Sequence, residues 1–141
     1  QGLHKASVPV GAVRLKENPA LAEKLSELLK PLVSSNLPKP ITLVGVGGTI
    51  TSLAAMEQAL AVYSQERVHG YRLSKDAAAH WQRQLAGMSL EQRQAIVGLM
   101  PKRADIIDWG TLILEEAMAL LQVTELIVSD KDLLYGLLAE K

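Results

Sequence analysis

The feature that most constrains the fold is an apolar run of strand length that passes directly into glycines and then into a helical pattern. Residues Ile41 to Val46 read ITLVGV, and GGTITS follows before apolar residues recur at helical spacing. A continuous apolar run of this length is typical of a strand buried on both faces, as in a parallel sheet. Glycines allow the sharp turn that must follow. The stretch therefore predicts a strand–turn–helix unit, with its helix over Thr49–Val62.

Hydrophobic periodicity on either side of this unit predicts further strands and helices. Valine-rich or apolar segments of strand length are Val8–Leu15, Val68–Leu73 and Leu126–Val128. Capping residues and apolar spacing predict that helices begin near Asn18, Ser74, Ser89, Arg103 and Asp130. The resulting alternation favours an α/β domain in which helices cover a sheet.

The amino-acid composition limits which partners the chain can bind and which cellular compartment suits it. The chain of 141 residues has the length of one domain, and its net charge of zero provides no broad basic surface for nucleic acid or anionic lipid. The lack of cysteine excludes disulfides and thiolate metal sites, and it fits a reducing, cytoplasmic location. No apolar run approaches the roughly 20 residues of a membrane span. We interpret Gln1-Gly2 as the remnant of a cleaved tag and residues 3–141 as a single domain.

The glycine turn allows two interpretations. A buried strand, glycines and a helix start can hold a phosphate, because the first N–H groups of a helix are unpaired and carry partial positive charge. We expect a positive φ at Gly48 and hydroxyl donors from Thr49 and Thr51. The dinucleotide fingerprint, however, requires a glycine where Ile50 stands, and the P-loop requires a lysine that is absent. On spacing alone, a tight turn that needs small residues is the more common explanation.

Two further groups of polar residues are candidates for a site. Lys102, Arg103 and Asp105 crowd the predicted start of a helix, where a cation opposes the helix dipole. A cation in such a position is either retained for an anionic ligand or paired with a neighbour such as Asp105. His69 belongs to the residue type best suited to acid–base chemistry near neutral pH, although a lone histidine at a strand edge is more often structural. No His, Asp or Glu set has metal-ligand spacing.

Five segments together resemble the C-terminal lobe of a known enzyme family. In chain order they are VGAVRL, GVGGTITSLAAM, VHGYRLS, RADIIDWGTLILEEAM and ELIVSD. Their order and spacing are similar to those of the exopolyphosphatase and guanosine pentaphosphate phosphohydrolase family. The resemblance implies a ribonuclease-H-like lobe of the actin-like ATPase fold, an α/β fold with a mixed sheet covered by helices, here lacking its first strands. Members of this bacterial family remove terminal phosphate from inorganic polyphosphate or guanosine pentaphosphate, using Mg²⁺ or a similar divalent cation.

The resemblance also implies which residues face the substrate. The residues that would line the cleft and contact phosphate are Gly47, Gly48, Thr49 and Arg103. Gly45 and His69 are further candidates, since both lie within matching segments. The catalytic glutamate of the family belongs to a first lobe that has no counterpart here, so no catalytic residue and no metal ligand maps onto this chain.

Departures from the family pattern lead us to expect a fragment that is inactive on its own. The family's first lobe and the aspartate-glycine phosphate loop that opens its second lobe would precede VGAVRL. Near the end, Leu134-Tyr135 stands where the family has an Arg-Glu pair. The expected partners are a first lobe, polyphosphate or guanine nucleotide phosphates, and a second copy of the chain as a homodimer. The alternatives are a non-catalytic regulatory or partner-binding module of the same fold, and a structural domain whose glycines serve packing.

Overall fold

The computed structural model describes residues 12–30 and 42–130 of the chain. The α-helices are α1 (Ala12–Glu17), α2 (Leu25–Leu29), α3 (Gly48–Glu57), α4 (Gln65–Val68), α5 (Lys75–Ala86), α6 (Leu90–Gln94) and α7 (Ile107–Leu121). Within the described residues, 3₁₀ turns cover Pro19–Lys24 and Pro101–Arg103. The strands are β1 (Val44–Gly45), β2 (Arg72–Ser74) and β3 (Glu125–Val128).

The strands of the described ranges form one small mixed sheet in the order β1-β3-β2. β1 runs parallel to β3, with Val44 opposite Ile127, and β2 runs antiparallel to β3, with Leu73 opposite Leu126. The carboxyl ends of β1 and β3 therefore lie at the same edge as the amino end of β2. Loops at the carboxyl ends of parallel strands are the usual place for a ligand site in such sheets.

Helices pack against the sheet and against one another around α7, the longest helix of the described ranges. α7 contacts α5, α3 and the two amino-terminal helices α1 and α2. The core that they enclose is apolar, and side chains from helices and strands alike are fully buried in it, among them Leu53, Leu85, Met118, Leu126 and Val128. Burial of this kind provides most of the free energy that favours folding. The predicted α/β fold with helices covering a mixed sheet is confirmed.

Two helix starts follow the predicted capping chemistry. The Ser74 hydroxyl accepts a hydrogen bond from the backbone N–H of Ala77 at 3.0 Å, at the start of α5. At α6 the Ser89 hydroxyl accepts from the N–H of Gln92, whose side chain accepts from the N–H of Ser89 in return. This reciprocal pair is the capping box that the Ser-x-x-Gln spacing predicts.

The predicted strand Val8–Leu15 is wrong where the structure describes it. Residues 12–15 belong to helix α1, and residues 8–11 lie outside the described ranges. The valines suggested a strand, but AVRLKE consists mainly of good helix formers. Leu15 of helix α1 is completely buried, whereas Val13 is 54% exposed. Helix α1 therefore packs against the core through Leu15.

The predicted burial of the Ile41–Val46 run on both faces is also wrong. β1 is an edge strand of the described sheet, and its side chains alternate between the two faces. Leu43 packs against the core and Gly45 is buried, whereas Val44 and Val46 are 55% and 57% exposed. The apolar run therefore has one face against the helices and one face against solvent.

Three helix boundaries differ from prediction because local turns intervene. α3 ends at Glu57, and Ala59 follows with a φ of 51°, so the predicted extension to Val62 does not form. Val68 closes the short helix α4 instead of opening a strand. α7 begins at Ile107, so Arg103 lies on the preceding 3₁₀ turn and does not oppose the α7 dipole.

The last helix, predicted to begin near Asp130, lies outside the described ranges. None of the described helices combines the length and the apolar content that a bilayer crossing requires.

Candidate functional site

Three of the segments singled out in the sequence meet at one edge of the sheet. The backbone N–H of Ser129, just after β3, donates to the Gly45 carbonyl at 2.8 Å. On the other side of β3, the N–H of Gly70 donates to the Val128 carbonyl at 2.7 Å. These bonds place the glycine turn, the Ser-Asp end of β3 and the His69-Gly70 pair side by side, as the strand order requires.

The glycine turn passes from β1 into α3 through one residue with a positive φ. That residue is Gly47, with a φ of 109° and a ψ of 169°. The positive φ expected at Gly48 is therefore wrong, since Gly48 is already the first helical residue. Thr51 closes the turn, because its N–H donates to the Gly47 carbonyl at 3.1 Å and its hydroxyl lies 3.2 and 3.3 Å from the carbonyls of Gly47 and Gly48. The first N–H groups of α3 have no acceptor within the helix and are available to a ligand at this turn.

Arg103 lies directly against this turn. A Cβ atom placed on Gly48 would overlap the guanidinium of Arg103, with Nη2 at 2.7 Å and Nη1 and Cζ closer still. The arginine comes from the 3₁₀ turn Pro101–Arg103, where its own N–H donates to the Met100 carbonyl. Gly48 and Arg103 are 55 positions apart in sequence, and the missing side chain at Gly48 leaves the space that the guanidinium occupies.

The alternative pairing of Arg103 with Asp105 does not occur. Asp105 pairs with Lys16 of α1, whose Nζ lies 2.6 Å from Oδ2. The hydrogen bond from Lys16 holds the pKa of the Asp105 carboxyl below its usual value. Within residues 12–30 and 42–130, no carboxylate lies within ion-pair distance of the Arg103 guanidinium. That guanidinium is thus a cation beside backbone donors, which is a favourable arrangement for an anion.

A mostly buried arginine, Arg93, fixes the turn that carries Arg103. Arg93 donates to the Leu85 carbonyl at 2.9 and 3.1 Å and to the Ala104 carbonyl at 3.3 Å. Its Nη1 also lies 3.0 Å from Oδ1 of Asp108 in the first turn of α7, within ion-pair distance but not aligned as a hydrogen bond. Arg93 therefore joins the end of α5, the residue after Arg103 and the start of α7.

Thr49 and Gly45 contribute to packing more than to the open face of the turn. A Cβ on Gly110 of α7 would overlap the Thr49 hydroxyl, so the Thr49 side chain faces α7 and only its backbone is turned towards the site. A Cβ on Gly45 would lie 2.5 Å from Ile50 Cδ1 and 3.0 Å from Leu126 Cδ1. Gly45 is buried behind the turn and allows α3 to approach the sheet closely.

His69 lies exposed at the same edge, fixed by the backbone at the end of β3. Its Nδ1 accepts a hydrogen bond from the N–H of Asp130 at 3.1 Å. A neutral imidazole that accepts at Nδ1 carries its proton on Nε2. Nε2 can then donate a hydrogen bond to a ligand. Gly70 follows with a φ of 86°, which glycine adopts without strain.

Sequence reasoning missed Tyr63 and Asp130, which join at this edge. The Tyr63 hydroxyl donates to Asp130 Oδ2 at 2.5 Å, and Gln65 Nε2 donates to the Asp130 carbonyl at 2.7 Å. Burial, followed by the bond to the Asp130 carboxylate, raises the pKa of Tyr63 to about 12, while the nearby Thr51 hydroxyl opposes the shift. Tyr63 and Asp130 are 67 positions apart, and no local pattern signals their contact.

Three or more metal-ligating side chains do not converge anywhere in the part of the chain that the structure describes. The described residues therefore do not fit a metal site built from protein ligands alone. The edge carries backbone donors, one guanidinium and one imidazole, which together suit an anionic oxygen ligand, and it also carries the Asp130 carboxylate beside Tyr63.

Comparison with known sequences decides the family. The sequence matches the profile of the Ppx/GppA phosphatase family over residues 3–141. The chain belongs to the Ppx/GppA phosphatase family. The family that the five sequence segments indicated is thus confirmed.

Curated relatives extend well beyond the matched part. The chain is 30% identical to exopolyphosphatase 2 of Mycobacterium tuberculosis, over 93% of this chain and 46% of that protein. It is 31% identical to the bifunctional 3-dehydroquinate synthase/phosphatase of Fusobacterium nucleatum, over 99% of this chain and 23% of that protein. The chain thus spans about half the length of the exopolyphosphatase and about a quarter of the bifunctional protein, a share consistent with one C-terminal lobe.

Solved structures of the Ppx/GppA family show the same fold. A Ppx/GppA phosphatase of Aquifex aeolicus superposes with a TM-score of 0.83 and 30% identity, over 96% of this chain and 48% of that one. An exopolyphosphatase from Cytophaga hutchinsonii superposes with a TM-score of 0.67 at 24% identity, a likeness that supports the fold alone. These matches support the actin-like lobe that the resemblance implied.

Proposed function

We propose that this chain is the substrate-binding lobe of a phosphohydrolase that removes terminal phosphate from inorganic polyphosphate or guanosine pentaphosphate. The observation that carries the proposal is the contact between Arg103 and Gly48. It brings a guanidinium without a carboxylate partner among the described residues to the start of α3, where the first backbone N–H groups have no partner within the helix. A guanidinium and helix N–H groups together recognise phosphate oxygens through charge-assisted hydrogen bonds.

Hydrolysis needs groups beyond those at this edge. Phosphoryl transfer depends on placing positive charge around the transferring group and on orienting the attacking water. The glycine turn and Arg103 would hold phosphate oxygens from one side, and His69 Nε2 would add a donor. A general base would come from the family's first lobe, as the family resemblance implies. We therefore propose that the 141-residue chain by itself binds phosphate chains but does not turn them over.

The proposal also includes a divalent cation at the site and a cellular location for the protein. The described residues do not form a protein-only metal site, so Mg²⁺ would take ligands from phosphate oxygens and from the family's first lobe. A cytoplasmic location, which fits the lack of cysteine, and self-association into a homodimer through the exposed face of a cleft are likewise predictions.

Calorimetric titration with tripolyphosphate tests the proposed function. The wild-type chain should bind, and Arg103→Ala should weaken binding about 10- to 100-fold, since a hydrogen bond to a charged group contributes about 1.5–3 kcal/mol. Lys75→Ala is the matched control, because Lys75 follows β2 at the opposite edge of the sheet, where its N–H donates to the Thr124 carbonyl. An affinity that falls equally in both variants would reflect net charge alone and would contradict a specific site.

An activity measurement completes the test. Purified chain should release no phosphate from long-chain polyphosphate above the level of a heat-denatured sample. Turnover at the rate of a two-lobed family member would overturn the proposal that this lobe binds phosphate while catalysis needs the other lobe. A chain that neither binds nor hydrolyses would instead favour a structural or partner-binding role.

A further inference from the structure

Tyr63 presents an aromatic ring that is both exposed and rigidly held at the proposed site. It lies in the loop between α3 and α4, and 51% of its surface is exposed. Its hydroxyl is fixed to the Asp130 carboxylate, and Gln65 of the same loop is fixed to the Asp130 carbonyl. An exposed tyrosine normally loses rotamer freedom when a ligand orders it, but a tethered ring has already lost much of that freedom.

The ring adjoins the glycine turn. The Thr51 hydroxyl contacts the carbonyls of Gly47 and Gly48 and is also close enough to the Tyr63 hydroxyl to influence its pKa. At neutral pH the phenol is protonated and donates to Asp130, and the pKa raised to about 12 extends this bond into the alkaline range. The ring is therefore uncharged, with its hydroxyl held by Asp130, beside the place where phosphate would bind.

Charges at the two ends of the site differ in sign. Arg103 lies against Gly48, and the Asp130 carboxylate lies at the Tyr63 hydroxyl. A phosphate chain is attracted towards Arg103 and repelled from Asp130. The part of a ligand that extends towards Tyr63 should therefore be uncharged, and the exposed ring suits a flat, polarisable group.

We propose that Tyr63 is a stacking platform for the base of a nucleoside polyphosphate whose phosphates lie on the glycine turn and Arg103. The inference rests on the proposed function, because it needs phosphate to occupy the turn. A base that stacks on an aromatic side chain gains affinity whatever its hydrogen-bonding edge, since every base has a π face. A bare phosphate chain has nothing to place on the ring, so Tyr63 distinguishes nucleotides from inorganic polyphosphate.

The test compares two ligands that carry the same number of phosphates. GTP and tripolyphosphate are titrated by calorimetry, at one magnesium concentration, into the 141-residue chain and into Tyr63→Leu and Tyr63→Phe. Tyr63→Leu should weaken GTP binding about 5- to 100-fold, the range for loss of one base–aromatic stack, and should leave tripolyphosphate within about twofold. Tyr63→Phe keeps the ring and should retain most of the GTP affinity.

A measurement on the wild-type chain keeps the test independent of how the variants fold. The ring protons of Tyr63 should shift in NMR spectra on addition of GTP, through the ring current of the base, and should not shift with tripolyphosphate. The stacking proposal would be overturned if Tyr63→Leu weakened the binding of both ligands equally, or if the Tyr63 ring protons did not shift on addition of GTP. Either result would leave the proposed function standing. A chain that binds neither ligand would overturn both.

Discussion

Adding one methyl group at Gly48 should reduce phosphate binding without unfolding the protein. The new Cβ would overlap the Arg103 guanidinium, which is the far end of a flexible side chain and can swing away at little cost. Gly48 has no positive φ, so alanine fits its backbone and even stabilises it by about 0.4–1 kcal/mol through the unfolded state. The displaced guanidinium, however, forfeits charge-assisted bonds to phosphate of about 1.5–3 kcal/mol. We expect Gly48→Ala to bind tripolyphosphate about 10- to 100-fold more weakly, with a melting temperature close to wild type.

Calorimetry and thermal melting on a double-mutant cycle give the decisive comparison. In an Arg103→Ala background, Gly48→Ala should cost no further affinity, because the group that it displaces is already gone. Gly110→Ala is the structural contrast: its Cβ would overlap the Thr49 hydroxyl and lie 2.9 Å from Thr49 Cγ2, between two packed helices. It should lower stability by about 1–3 kcal/mol. Additive losses in the double variant, or an unchanged affinity in Gly48→Ala, would refute the contact as the basis of binding.

Three further predictions test the structure around the site. Gly47→Ala places a Cβ in open space but at a φ of 109°, so it should cost about 1–3 kcal/mol of stability from backbone strain alone, measured by urea unfolding. The raised pKa of Tyr63 means that its bond to Asp130 contributes stability below its ordinary pKa of 10.0 and loses it as pH rises through about 12; Tyr63→Phe should remove this alkaline component from a plot of stability against pH. Arg93→Met leaves Asp108 mostly buried without its cation and should cost about 2–4 kcal/mol, whereas an Arg93→Met, Asp108→Leu double variant should recover much of the loss.

The sequence was informative where the determining contacts are local. The Ser74 cap and the Ser89 capping box follow from side chains and backbone groups three residues apart, and both formed as predicted. The strand–turn–helix order at the glycines was also correct, because glycine between an apolar run and helical spacing has few other solutions. Valine content led to two wrong predictions. At residues 12–15 it favoured a strand over the helix that forms, and at Val44 and Val46 it suggested burial although both side chains are exposed.

The candidate site depended on contacts that no local pattern carries. Gly48 and Arg103 entered as separate candidates through the family resemblance, and only the tertiary structure places one against the other. The link from Tyr63 to Asp130 spans 67 positions and had no signal in the sequence. Thr49 was correctly placed at the turn, but its hydroxyl lies against Gly110, which is 61 positions away in the sequence.

A phosphate titration followed residue by residue tests most directly whether the glycine turn and Arg103 form one binding surface. Tripolyphosphate is added to the ¹⁵N-labelled chain, and amide and guanidinium signals are recorded by NMR. We expect the largest shifts at the backbone N–H groups of Gly48 and Thr49 and at Nε of Arg103, with a common dissociation constant. Shifts confined to scattered surface lysines, or shifts at Arg103 that saturate independently of those at Gly48, would contradict a single phosphate-binding surface.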